Sequence, residues 1–177
     1  DWRTLQEAAS VLVDSPIYID DSSLLTTVEM KARSRRFKAK HGELGLIVVD
    51  YLQLMSSSRT MDNKQNEVAE ISRGLKAIAR ELDVPVIALS QLSRAVESRN
   101  EKTPQLSDLR DSGAIEQDAD LVGLLYRDSY YAKDQEARND SSASLDIAKN
   151  RNGPTDKVPL VFLREYTRFE DKDYRNS

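Results

Sequence analysis

Apolar positions change period several times along the 177-residue chain, and each change marks an element. Leu5, Ala8, Ala9 and Leu12 recur at helical spacing and predict a helix over residues 3–13, which Pro16 ends. Residues 17–19 (IYI) read as a short strand. Thr26 or Thr27 can cap a second helix, with Glu29 in its first turn, running to about Lys40 before His41 and Gly42 stop it. Residues 45–55 (GLIVVDYLQLM) hold an unbroken run, Leu46 to Val49, which predicts a strand buried on both faces of a parallel sheet and ending in Asp50. Val68, Ile71, Leu75, Ile78, Ala79 and Leu82 form the apolar stripe of a long helix, capped by Asp62 or Asn63 and ended by Asp83. Residues 84–89 (VPVIAL) read as a strand with Pro85 near its start and Ser90 and Gln91 at its end. Residues 121–126 suggest a fourth parallel strand, and residues 144–148 and 158–163 a closing antiparallel pair around the turn Asn152-Gly153-Pro154. The polar stretches 56–63, 90–111 and 127–141 read as loops, the first of them mobile, and order is expected to end near Phe169. The alternation predicts an α/β fold with right-handed crossovers.

Composition narrows the function classes. Apolar residues make up 39% and charged residues 32%, the balance of one soluble domain with a busy surface. Cysteine is absent, which excludes disulfides, thiolate chemistry and zinc–cysteine clusters. Asp50 interrupts the longest apolar run, so no membrane span is expected, and the acids near the N-terminus argue against a signal peptide; a cytoplasmic location is the expectation. The start at Asp1 suggests a fragment. A net charge of −4 argues against a surface that is one broad DNA footprint, but leaves room for a few basic loops. Lys31, Arg33, Arg35, Arg36, Lys38 and Lys40 crowd the second helix; they read as a solvated face rather than a nucleic-acid or partner patch. His41, the one histidine, sits at a helix C-terminus and reads as structural.

Three groups could carry chemistry. Asp50 follows buried residues at the carboxyl end of a strand, where such a carboxylate meets Mg²⁺ or its water shell; alternatively it caps the next turn. Gln91 follows the next strand, and Lys149-Asn150-Arg151-Asn152-Gly153 precedes the hairpin turn. All three are expected near one edge. An acid near a metal, an amide that orients water and a cation pair are parts of a phosphoryl-transfer site. Gln91 could equally bond only to backbone, and Lys149 and Arg151 could be solvated turn residues. None of the six glycines is followed by Lys, so the phosphate-cradling G-x-x-x-x-G-K-[ST] loop is absent from the sequence.

Four segments together carry a resemblance: IVVDYLQLM, EISRGLKAIARELDVPVIALSQLSRAVESR, LRDSGAIEQDADLV and KNRNGP. In this order and spacing they resemble the motor domain of the bacterial DnaB-type replicative helicases, from about Tyr18 to Phe169. The resemblance implies a RecA-like P-loop NTPase core over residues 1–170, truncated on its N-terminal side, with a polar tail at 171–177. It implies a homohexameric ring that uses ATP and Mg²⁺ to travel 5′-to-3′ on single-stranded DNA and unwind duplex at the replication fork, with primase and a helicase loader as partners. Asp50 matches the Walker B aspartate that helps hold Mg²⁺ through water, and Gln91 the glutamine linking the γ-phosphate to the DNA loops. Lys149 and Arg151 match the basic pair that reaches a neighbouring subunit's ATP site as an arginine finger. Arg110, Asp111 and Gly113 match the loop that tracks the DNA backbone; Asp111 stands where the family commonly has Glu. The resemblance places the Walker A motif, the strand bearing the catalytic glutamate and the primase-contacting domain outside this sequence, so the chain alone is expected to be inactive. A RecA-like recombination ATPase and a non-catalytic module without a P-loop are the competing readings.

Overall fold

The computed structural model describes residues 2–58, 63–132, 134 and 139–172, and only the backbone of residues 110–112. The organising element is helix α3 (Lys64–Leu82). The Asn63 side chain caps it by accepting from the Gln65 N–H at 2.9 Å, and left-handed Asp83 ends it. Its stripe is buried except for the half-buried Ala79; Ile71 and Ile78 are each 1% exposed, and burial of such a side chain is worth about 2 kcal/mol. The same cluster takes in Met30 from helix α2 (Thr27–His41) and Leu52 and Met55 from the segment after strand β1 (Ile47–Val49). Strand β2 (Val86–Ala88) pairs in parallel with β1, Ile47 opposite Val86 and Val49 opposite Ala88, so β1-α3-β2 is one crossover unit.

Helix α2 starts as its sequence dictates. Thr26 accepts from the Glu29 N–H, and Glu29 reaches back to the Thr26 N–H, a complete capping box. Gly42, at φ +83°, ends it. Four of its six cations have partners within the chain. Lys31 and Arg35 both pair with Glu81 of α3, Arg33 bonds Asp20 at 2.6 Å, and Lys38 donates to the Leu82 carbonyl at 2.6 Å. The basic run therefore serves mainly to fasten α2 to its surroundings. His41 stacks on Phe37 with 4.4 Å between ring centroids and lies 5.2 Å from the Tyr18 ring, in keeping with a structural role.

The second half of the chain builds a separate antiparallel sheet, ordered β3 (Leu121–Tyr126), β4 (Ser142–Asn150), β5 (Lys157–Leu163), β6 (Arg168–Asp171). β3 thus departs from expectation. It is bonded to β4 and not to β2, because the hairpin pairing available nearby in sequence supplies its hydrogen bonds. Residues 17–19 are not a strand; nothing among the described residues pairs with them, and Ile17 and Ile19 are exposed. β1 is not buried on both faces: Leu46 and Val48 are exposed, as are Ile87 and Leu89 beside them. The loop at 90–111 carries helix α4 (Ala95–Ser98) and a 3-10 turn, Leu106–Ser112, which leads directly into helix α5 (Gly113–Asp118). Helix α6 (Asp128–Tyr131) interrupts the excursion after β3. Order runs past Phe169 to the end of β6, while residues 173–177 of the expected tail lie outside the described residues. The middle of the loop expected to be mobile, residues 59–62, also lies outside them. Helix α1 (Trp2–Val13) forms as its spacing predicts, with no residue buried.

Candidate functional site: the carboxyl edge of the parallel strands

The parallel pair brings Asp50 and Gln91 to one edge. The segments that leave β1 and β2 are tied together there: the Leu89 N–H donates to the Val49 carbonyl and the Leu52 N–H to the Leu89 carbonyl, both at 2.9 Å. Asp50 is exposed, and its carboxylate has no hydrogen bond or ion pair among the described residues. It does not cap the following turn, Leu52–Leu54, which has no side-chain cap. The Asp50–Tyr51 peptide is cis.

Gln53 is a member of this edge that the sequence reading missed. Its Nε2 donates to Ser90 Oγ and to the Gln91 carbonyl, both at 3.2 Å, and its Oε1 accepts from the Gln91 N–H at 3.3 Å. The backbone of Gln91 is therefore gripped by Gln53, and the Gln91 side-chain amide makes no hydrogen bond among the described residues. Gln53, Ser90 and Gln91 line a cleft of about 390 Å³ together with Lys64, Arg94 and Asp108. The signal for Gln53 was its polarity between two leucines, which suits a turn and not a continued strand.

Lys149 and Arg151 are placed elsewhere. Lys149 Nζ donates to the Glu116 carbonyl, and lies 3.4 Å from the Gln117 carbonyl. Arg151 donates through Nη2 to the Gln117 carbonyl and lies 3.5 Å from Asp120 Oδ1 through Nη1. Both cations thus sit on the C-terminal carbonyls of α5, where the helix dipole favours positive charge. No bond among the described residues joins either of them to Asp50 or Gln91; the strand pairing brings those two together, and the cation pair is held by α5 and Asp120. Gly113 opens α5 and is exposed; the side chains of Arg110 and Asp111 lie outside the described residues.

A single carboxylate does not make a metal cage. Among the described residues no group of three or more His, Cys, Asp or Glu side chains could hold a metal ion. That donor set suits Mg²⁺ that keeps its waters and takes other ligands from phosphate, the usual habit of this ion. No described helix is long and apolar enough to cross a membrane.

Parallel strands with functional groups at their carboxyl ends define an α/β nucleotide-site architecture, and comparison with known proteins says which kind. The family model for the DnaB-like helicase C terminal domain matches residues 1–171, and the chain belongs to that family. The replicative DNA helicase DnaB of Geobacillus stearothermophilus is 53% identical over 176 residues, 99% of this chain and 38% of that protein. The replicative DNA helicase DnaC of Bacillus subtilis matches at the same identity and coverage. Among solved structures, a DnaB-like replicative helicase, described together with its interactions with primase, superposes with a TM-score of 0.90 at 43% identity, over 97% of this chain and 42% of that one. A second solved chain, an ATPase domain, gives the same score and identity over 60% of its length. The fold is therefore RecA-like. The chain spans 38% of the length of these curated relatives.

Proposed function

We propose that this chain is the Walker B half of an ATP-driven replicative helicase motor, which moves 5′-to-3′ on single-stranded DNA as a homohexamer and acts in the cytoplasm with a primase and a loader. The observation that carries the reading is the Asp50 carboxylate, without a partner among the described residues, beside the Gln53–Ser90–Gln91 clamp, in a chain of the DnaB-like family. Bound Mg-ATP would supply the phosphoryl group and the metal charge. Asp50 would hold a metal-bound water, and the free amide of Gln91 would report on the γ-phosphate. The Gln53 grip on the Gln91 backbone would keep that amide in place. Lys149 and Arg151 would act on a neighbouring subunit, in line with their contacts within the chain being to the end of α5 and to Asp120. Arg110, Asp111 and Gly113 would follow the DNA backbone, a sequence-tolerant and salt-dependent contact.

The test is Mg-ATP hydrolysis with and without single-stranded DNA. The isolated chain should show no activity above its Asp50→Ala control, because its sequence has no phosphate cradle. In the full-length protein Asp50→Ala should abolish turnover, and Arg151→Ala should lower kcat roughly 10³-fold. Wild-type turnover by full-length Asp50→Ala would sink the assignment. The non-catalytic reading predicts no nucleotide turnover in the full-length protein, and a recombination ATPase predicts turnover without duplex unwinding.

A further inference from the structure

The cation pair at the end of β4 is held by an assembly that takes no part in the Asp50–Gln91 edge. Four features converge on it. First, the β3–β4 ladder shifts register between Val122 and Gly123: Val122 faces Lys149 but Gly123 faces Ile147, so Ala148 is an extra residue immediately before the pair. A bulge of this kind twists a strand and re-aims the side chains that follow it. Second, Asp120 grips Arg151 twice: its carbonyl accepts from the Arg151 N–H at 2.8 Å, and its carboxylate faces the guanidinium. Third, the same carboxylate pairs with Lys76 of α3, the helix that contributes most to the buried core. Lys76 above all, with Arg151 and Arg80 nearby, holds the Asp120 carboxyl below its ordinary range. Fourth, the carbonyls that seat Lys149 and Arg151 belong to α5, whose first residue is Gly113.

We propose that Asp120, anchored by Lys76, is a positioning residue for Arg151, and that α5 links the 110–113 segment mechanically to the Lys149–Arg151 pair. The proposal rests on the reading of Arg151 as a finger and of residues 110–113 as a DNA contact. α5 is six residues long, and one end begins at the proposed DNA segment while the other ends on the finger. Less than two turns of helix leave little slack. A displacement of its first residue is passed to Glu116 and Gln117, and from their carbonyls to both cations. Asp118, at its last position, is pinned by Ser72 Oγ of α3 at 2.8 Å, so the helix pivots about a fixed end. Asp120 sets the resting aim of Arg151, because it is itself tied to α3 through Lys76. DNA on one subunit would in this way set the finger presented to the next.

The test uses the full-length protein, Mg-ATP and an oligo(dT) strand, with kcat and KM measured with and without the strand. Asp120→Asn should lower the strand-stimulated kcat by up to about 100-fold, the scale of a catalytic group misplaced by roughly 1 Å, with KM for ATP and the melting temperature little changed. Lys76→Gln leaves Asp120 in place and should move the same parameter in the same direction. Asp120→Glu keeps the charge and should restore most of the stimulation. Unchanged stimulation in both Asp120→Asn and Lys76→Gln would overturn the proposal. So would an effect confined to KM for ATP, with kcat unchanged. Arg151→Ala separates the two levels. If it stays active, the finger reading fails and this proposal with it; if it is inactive while Asp120→Asn behaves as wild type, the positioning role alone fails.

Discussion

Asp108 is 6% exposed and is the acid on which the long segment after β2 is folded. Its Oδ2 accepts from Arg99 Nη2 and from the Gln105 N–H, each at 2.7 Å, and its carbonyl accepts from the Ser93 N–H at 3.0 Å. Arg99 in turn donates to the Thr103 carbonyl at 3.1 Å. Removing one member of such a pair strands the other, so Asp108→Ala should destabilise the chain by about 2 kcal/mol in urea unfolding, less than for a fully buried pair because Arg99 is partly exposed. Asp108→Asn, which keeps one acceptor, should lose less. None of this was legible beforehand. The sequence does not rank Asp108 above Glu97 and Glu101 among the nearby cations, and burial alone singles it out from those two. Asp50 and Gln91 were legible for the opposite reason: each lies at the end of an apolar run, so its position along the strand was fixed by period. Gln53 was not, since its bonds depend on the neighbouring segment.

At the scale of elements, the packing of α2 on α3 turns on one glycine. A Cβ on Gly74 would lie 2.7 Å from the Cβ, Cγ2 and Oγ1 of Thr27, a buried residue at the start of α2. Gly74→Ala brings better helix propensity, worth roughly 1 kcal/mol, but the overlap forces the helices apart at a cost of about 1–3 kcal/mol. The net expectation is a less stable chain, with Thr27→Ser in the same chain recovering part of the loss by removing Cγ2; a double-mutant cycle in urea reads both. Equal or greater stability of Gly74→Ala would show that the interface yields freely. Most single elements were predictable because caps and stripes are local: the Thr26 cap, one of the two offered, and the α3 stripe stand where the residues placed them. Pairing was less so. Nothing in residues 121–126 says whether they bond to the strand before or the strand after, and the sequence within residues 17–19 could not show that no strand among the described residues lies beside them.

At the scale of the whole molecule, one face of the parallel pair is open. Leu46, Val48, Ile87 and Leu89 are all exposed, Val48 at 58% and Ile87 at 50%. Contiguous apolar surface of this kind marks a contact face, and parallel strands are ordinarily covered on both sides. In isolation the chain should therefore self-associate, and Val48→Lys combined with Ile87→Lys should shift it towards monomer in size-exclusion chromatography with light scattering. A monomer before any substitution would show that the face stays wet without penalty. The four-stranded sheet has a further consequence that concerns synthesis and not chemistry. Among the described residues, every ladder joins strands that follow one another along the chain, with β1 and β2 closed by residue 88 and β3 to β6 all drawn from residues 121–171. None of these ladders waits for a distant partner. As the polypeptide leaves the ribosome, the parallel unit has both its strands before the first residue of the second sheet emerges, so the edge bearing Asp50 and Gln91 can form first and the end bearing Lys149 and Arg151 is added to a body already folded.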